Sequence, residues 1–209
     1  MSAREMLLGR WNGCYPEPLL KAFKAILREK FILDEDFDQA YGDYPLSIGH
    51  GQTISQPSTV MIMLDALELR PGQKVLEIGA GSGWNAALMG YIVGKKGRVY
   101  STEIVSELAD YAKKNVKKTK LKNVTIMHHD GSIGLEKYVP FDRIIVTAAC
   151  PSSPDKLISQ LKEEGILVAP VSGFFDQDMV VYTKHKDGIT EKRLGSFSFV
   201  PLKGALGYQ

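Results

Sequence analysis

The stretch "KVLEIGAGSGWNAALMGYIVG", Lys74 to Gly94, constrains the fold more than any other part of the chain. A short apolar run enters glycines spaced G-x-G-x-G, at Gly79, Gly81 and Gly83, and a run of small and apolar residues leaves them. That texture predicts a strand, a tight loop and a helix that stops at Gly94. The unit then repeats. "GRVYSTEI" predicts a second strand, "VSELADYAKKNVKKTK" a second helix, and "NVTIMHHDG" and "FDRIIVTAA" a third and fourth strand. "SPDKLISQLKEEG" predicts a helix stopped at Gly165, and "ILVAPVSG" a fifth strand. Strands and helices alternating at these spacings call for a mostly parallel, doubly wound, Rossmann-like α/β sheet covered on both faces.

The flanks read differently. In "PEPLLKAFKAILREKF" the residues Leu19, Leu20, Phe23, Ile26, Leu27 and Phe31 recur at helical steps, which gives a helix with one buried face. "LDEDFDQAYGDYP" is an acidic, aromatic connector, and "STVMIMLDALEL" predicts another helix with Ser55 or Ser58 as its N-cap. Near the end, two alternating runs surround Asp187-Gly188, a hairpin signature. The expected organisation is one domain over 1–209. It comprises a helical extension with an active-site loop (1–57), a cofactor-binding core (74–172) and a β-rich C-terminal end (173–209).

Composition narrows the function. A net charge of +2 leaves no electrostatic footprint for nucleic acid. Cys14 and Cys150 form neither a disulfide framework nor a metal pair, as expected in a reducing cytoplasm. No stretch reaches the roughly 20 apolar residues that span a bilayer, and the brief N-terminal apolar run is interrupted by Arg10, unlike a secretory leader. The lysines of "KKNVKKTKLK" fall on the outer face of a helix, a solvated surface rather than an RNA site. His128 and His129 are neighbours in a strand, point to opposite faces and share no metal. Cys150 lacks the flanking basic or aromatic groups of a nucleophile and reads as a small packing residue. A soluble, cytoplasmic, monomeric protein is expected.

In an open α/β sheet, ligands sit beyond the carboxyl ends of the strands, and glycines there let backbone approach a ligand that a Cβ would block. G-x-G-x-G is shorter than the dinucleotide pattern G-x-G-x-x-G, and the acidic Glu77 precedes it. Both features favour S-adenosylmethionine, which has no pyrophosphate to anchor and carries an amino group. Glu103 closes the second strand, where a carboxylate can hold ribose hydroxyls, and Asp130-Gly131 closes the third, where an acceptor can meet the adenine amino group. A second loop, "IGHGQTISQPST", has hydroxyls and amides but no Asp, Glu, Cys or Lys, with only His50 at its edge.

"YGDYPLSIGHGQTISQP", "VLEIGAGSGWNAALM", "DGSIG", "PFDRIIVTAACPSSPDKLISQLKEEGILVAPV" and "FVPL" together resemble the protein-L-isoaspartate O-methyltransferase family, over roughly residues 25 to 202. The glycine loop is common to most S-adenosylmethionine-dependent methyltransferases, whereas "IGHGQTISQP" and "TAACP" are specific to this one. The resemblance implies methyl transfer to the α-carboxylate of L-isoaspartyl residues in age-damaged proteins and peptides. The ester then closes to a succinimide that can reopen to normal aspartate, which initiates repair. It further implies that Gln52, Thr53 and Ile54 cover the methyl donor and that Ser55 is the active-site hydroxyl, with Thr53 beside it at the substrate. Gly79, Gly81, Gly83, Glu103, Asp130 and Gly131 would hold the cofactor. Thr147, Ala148, Ala149, Val200 and Leu202 would line the substrate. The chain departs from the family pattern at Ser58, Thr59 and His129, and ends at Gln209, soon after "VPL".

The resemblance also explains the loop's lack of acid or base. A sulfonium methyl is already an activated electrophile and an α-carboxylate is already an anion at pH 7, so the protein's work is alignment and exclusion of water. Two alternatives differ in kind. An S-adenosylmethionine-dependent enzyme acting on RNA or a small molecule would, for base-amino methylation, carry Asn/Asp-Pro-Pro-aromatic where this chain has "TAACP". A non-catalytic cofactor-binding relative would have no reason to keep "GQTIS".

Overall fold

The computed structural model describes residues 2–173 and 176–208. Its centre is a seven-stranded sheet in the order β5-β4-β3-β6-β7-β8-β9. The strands are β3 (Lys74–Ile78), β4 (Arg98–Glu103), β5 (Val124–His128), β6 (Phe141–Val146), β7 (Leu161–Ser172), β8 (Gln177–His185) and β9 (Gly188–Phe197). Pairs β3/β4, β4/β5, β3/β6 and β6/β7 are parallel, while β7/β8 and β8/β9 are antiparallel. The chain winds outward from β3 to β5, returns to β6 on the other side of β3, and winds outward again. The reversal between β3 and β6 is the switch point where ligands of such sheets bind.

Strand alternation divides the core. Val75, Val99, Ile145 and Val168 pack on one face with helices α4 (Trp84–Val93) and α5 (Ser106–Lys118), together with α2 (Glu17–Ala25) and α3 (Pro57–Ala66). Leu76, Ile78, Ile144, Val146 and Leu167 pack on the other face with Leu157 and Ile158 of α6 (Asp155–Ser159). Gly94 ends α4 as expected, and α5 buries Leu108, Ala112 and Val116 while Lys113, Lys114, Lys117 and Lys118 face outward. The N-terminus adds α1 (Ala3–Trp11), and the second long loop is a small antiparallel hairpin of β1 (Leu46–Gly49) and β2 (Gln52–Ile54). His50 and Gly51 at its tip have φ of 55° and 68°, the left-handed pair that a two-residue hairpin turn requires.

Three expectations change. The helix expected to run to Gly165 is only Asp155–Ser159. Leu161 already pairs with Phe141, and the next partner, Arg143, meets Ile166, so residues 162–165 form a bulge rather than a helical turn. Parallel pairing with β6 outweighs the helical spacing of Leu157, Ile158 and Leu161. The helix expected through Phe31 ends at Ala25, followed by a single 3-10 turn, Arg28–Lys30. The N-cap of α3 is Gln56, without a side-chain bond; the Asp43 carboxylate instead accepts from the Ser58 N–H (2.9 Å) and hydroxyl (2.7 Å). The Asp187-Gly188 hairpin forms as expected. Among the described residues no helix is long and apolar enough to cross a membrane.

Candidate active site

A cleft of about 890 Å³, counted with its open mouth, lies over the carboxyl ends of β3, β4 and β6. Its floor is the glycine loop. The N–H groups of Gly79 and Ala80 donate to the Thr102 carbonyl (2.9 Å each), and the Thr147 hydroxyl donates to the Gly79 carbonyl at 2.6 Å. Gly79 has φ of 94°, and a Cβ there would come 2.5 Å from Thr147 Oγ1. Any side chain would therefore be strained and would also fill the cradle.

Glu103 crosses from the end of β4 to this loop. Its Oε2 accepts from the Gly81 N–H (2.8 Å) and its Oε1 from the Val105 N–H (3.1 Å). A carboxylate has about four acceptor positions, so it keeps capacity for two hydroxyls on the cleft side. Gly131 sits beneath the adjacent corner, where a Cβ would overlap the Thr102 hydroxyl and approach Ile78 Cγ2 to 2.7 Å. A bare-backbone cradle with a restrained carboxylate beside it fits a nucleoside-bearing cofactor.

The β1/β2 hairpin forms the opposite lip. Buried Leu46, Ile48 and Ile54 anchor it, and Ile48 Cδ1 lies 3.4 Å from the place of a Gly81 Cβ. Gln52, Thr53, Ile54 and Ser55 line the cleft. Two tethers fix the segment after β2. The buried Arg28 guanidinium donates to the carbonyls of Ser55 (3.0 Å) and Ile54 (3.4 Å), and Asp43 holds Ser58. The Ser55 hydroxyl makes no hydrogen bond among the described residues.

Twelve of the expected residues come together here: Gln52, Thr53, Ile54, Ser55, Gly79, Gly81, Glu103, Gly131, Thr147, Ala148, Val200 and Leu202. Four do not line the cleft, each for a packing reason. Glu77 is fully buried under the floor, where it accepts from Ser101 Oγ (2.5 Å) and Asn85 Nδ2 (2.7 Å), and burial pushes its carboxyl up to about 7. Gly83 is the N-cap of α4 with φ of 85°, and its missing side chain lets α5 approach, with Ala112 O 3.1 Å from a Cβ there. Ala149 is fully buried and bridges Pro201. Asp130 turns toward the C-terminal segment, accepting from the Ala205 N–H (2.7 Å) and from the Ser132 N–H and hydroxyl (2.9 and 2.7 Å). Burial alone would raise the Asp130 carboxyl, but those donors outweigh it and hold it below the ordinary value.

The sequence reading did not assign Ile104, His129 and Lys203 to the cleft, nor Arg28 and Asp43 to its support. Ile104 and Lys203 directly follow assigned positions, and adjacency was their only signal. Arg28 read as one more polar residue of an amphipathic helix. Cys150 is buried and burial pushes its thiol up to about 12, a packing residue as expected. Among the described residues no group of three or more His, Cys, Asp or Glu is placed to hold a metal ion.

The model of the protein-L-isoaspartate (D-aspartate) O-methyltransferase family matches residues 10–207, which include every site residue named above. The chain belongs to this family. The Methanosarcina mazei protein-L-isoaspartate O-methyltransferase is 47% identical over 194 residues, 92% of this chain and 79% of that one. A solved protein-L-isoaspartate O-methyltransferase superposes with a TM-score of 0.90 at 32% identity, covering 98% of this chain and 67% of that one. A Plasmodium falciparum structure, described as a putative protein-L-isoaspartate O-methyltransferase in complex with S-adenosyl-L-homocysteine, gives a TM-score of 0.86 at 28% identity, over 97% and 99% of the two chains. Membership in the isoaspartate methyltransferase family accounts for a conspicuous lack. Of the residues lining the cleft, only Glu103, His129 and Lys203 carry ionisable acidic or basic side chains, and none lies in the Gln52–Ser55 lip.

Proposed function

We propose that this protein transfers the methyl group of S-adenosylmethionine to the α-carboxylate of L-isoaspartyl residues in damaged proteins and peptides, starting their repair through a succinimide. The observation that carries the reading is the Gln52–Ser55 lip: a free hydroxyl, no acid or base, and rigid tethers behind it. When bound, the cofactor supplies a methyl already activated by its sulfonium. The protein's residues have four tasks. Gly79, Gly81 and Gly131 give backbone access to the nucleoside. Glu103 holds the ribose hydroxyls with its remaining lone pairs. The Ser55 hydroxyl, seconded by Thr53, donates to one carboxylate oxygen so that the other faces the methyl. Thr147, Ala148, Val200 and Leu202 shape the wall that excludes water. Glu77, Gly83, Asp130 and Ala149 support these groups without touching the ligands. The charge balance favours work on protein rather than nucleic acid, and the free cysteines favour the cytoplasm.

The test uses S-adenosylmethionine with a labelled methyl, an isoaspartyl peptide and its normal aspartyl twin, scoring base-labile label. Label on the isoaspartyl peptide alone is expected. With Ser55→Ala, kcat/KM should fall about 10- to 100-fold through loss of one hydrogen bond to a charged group. Label on neither peptide would refute the reading, and transfer to RNA or a small molecule would replace it.

A further inference from the structure

Arg28 is an unusual component of the wall behind Ser55. The side chain is fully buried, yet none of the ion pairs among the described residues includes it. Its bonds all go to neutral carbonyls: Ala40 (2.6 Å), Ser55 (3.0 Å), and Tyr44 and Ile54 (3.4 Å each). The guanidinium also lies over the ring of Trp84, 5.4 Å from the centroid, and Trp84 is one of the residues that line the cleft. Asp43 is a nearby acid whose charge acts on the guanidinium without bonding to it, its carboxylate being engaged by Ser58 and Arg10. Burial lowers the guanidinium only to about 10, so it is a cation at neutral pH.

A buried charge with no acid bonded to it is costly. Carbonyls alone do not require one, since a neutral amide also donates hydrogen bonds. The guanidinium does not itself line the cleft but lies directly behind two elements that do, the Ile54–Ser55 backbone and Trp84. The lip itself offers an incoming anion no cationic side chain; Lys203 belongs to the segment after Leu202. We propose that Arg28 is a positioning residue for the substrate's carboxylate: acting through the Ile54–Ser55 backbone, it fixes the Ser55 hydroxyl and supplies the positive potential that favours an anionic over a neutral group there. This deepens the methyl-transfer reading and rests on it.

The experiment compares two peptides on enzyme loaded with S-adenosylhomocysteine, by calorimetry. One carries the isoaspartyl α-carboxylate; the other is identical with an α-carboxamide, which is neutral and nearly the same shape. Wild type should bind the acid about tenfold more tightly than the amide, the effect of one poorly screened charge several ångströms away. Arg28→Gln, which keeps donors but no charge, should bring the ratio to within about threefold, while Arg28→Lys should keep most of it. Equal loss of affinity for both peptides in Arg28→Gln, with the ratio intact, would mean a purely structural role and overturn the proposal. Wild type binding acid and amide alike would overturn it without any variant, even if methyl transfer to the isoaspartyl peptide is observed.

Discussion

Replacing Glu77 by glutamine should change how stability depends on pH. The carboxyl is completely buried, and loss of solvation, with a smaller push from the charge of Glu103, raises it from 4.5 to about 7 despite the bonds from Ser101 and Asn85. A carboxyl whose pKa is higher in the folded state binds its proton more tightly there. Its stabilising contribution is therefore complete below the unfolded value and is lost as pH rises through the folded one, here between about 4.5 and 7. The difference of about 2.5 units corresponds to about 3 kcal/mol. Other groups titrate in the same window, so wild type alone is not informative. The difference between wild type and Glu77→Gln isolates this group, because the amide does not titrate. Urea unfolding at pH 4.5 and pH 8 should show the wild type losing about 3 kcal/mol relative to the variant on going to the higher pH, roughly 1 M in midpoint. A wild-type-to-variant gap that does not move with pH would refute the assignment of a desolvated carboxyl at this position.

Two other changes test the cradle and the tether. Gly131→Ala places a methyl into Thr102 Oγ1 and Ile78; overpacking of this kind costs about 1–3 kcal/mol, and S-adenosylhomocysteine affinity measured by calorimetry should fall with thermal stability. Asp43→Ala removes both bonds to Ser58 at the start of α3, which should cost about 1 kcal/mol in urea unfolding and lower kcat/KM more than it lowers cofactor affinity, since Ser55 lies just ahead of that helix.

The doubly wound core was legible because its signals are local and repeat. The strands from Lys74 to Val146 are short runs rich in apolar residues, β3 and β6 buried almost throughout, as a sheet covered on both faces requires. Legibility failed where a distant partner decides the outcome. Leu161 has helical spacing with Leu157 and Ile158, yet pairing with Phe141 turns it into a strand residue. The cap of α3 was sought among its own serines, but comes from Asp43 across a hairpin. The same division holds in the site. Gly79, Gly81 and Glu103 follow from strand ends. The inward turn of Glu77 and the engagement of Asp130 by Ala205 depend on side-chain direction and on a chain end far away.

Those two misplacements share a physical sense with the tethers. Glu77, Asp43 and Asp130 do not line the cleft and are bonded elsewhere: Glu77 to Ser101 and Asn85, Asp43 to Ser58, and Asp130 to Ser132 and Ala205. Only Glu103 lines it, with two backbone N–H donors already bound to its oxygens. A nucleophile that arrives as an anion needs no base, but it cannot tolerate unneutralised carboxylates nearby at low effective dielectric. A single buried cation behind the Ser55 lip and acids bonded elsewhere form one electrostatic arrangement. Under the proposed function, the loop's lack of acid and base extends beyond the loop: the acids around it are bonded elsewhere, away from the Ser55 hydroxyl assigned to the substrate's carboxylate.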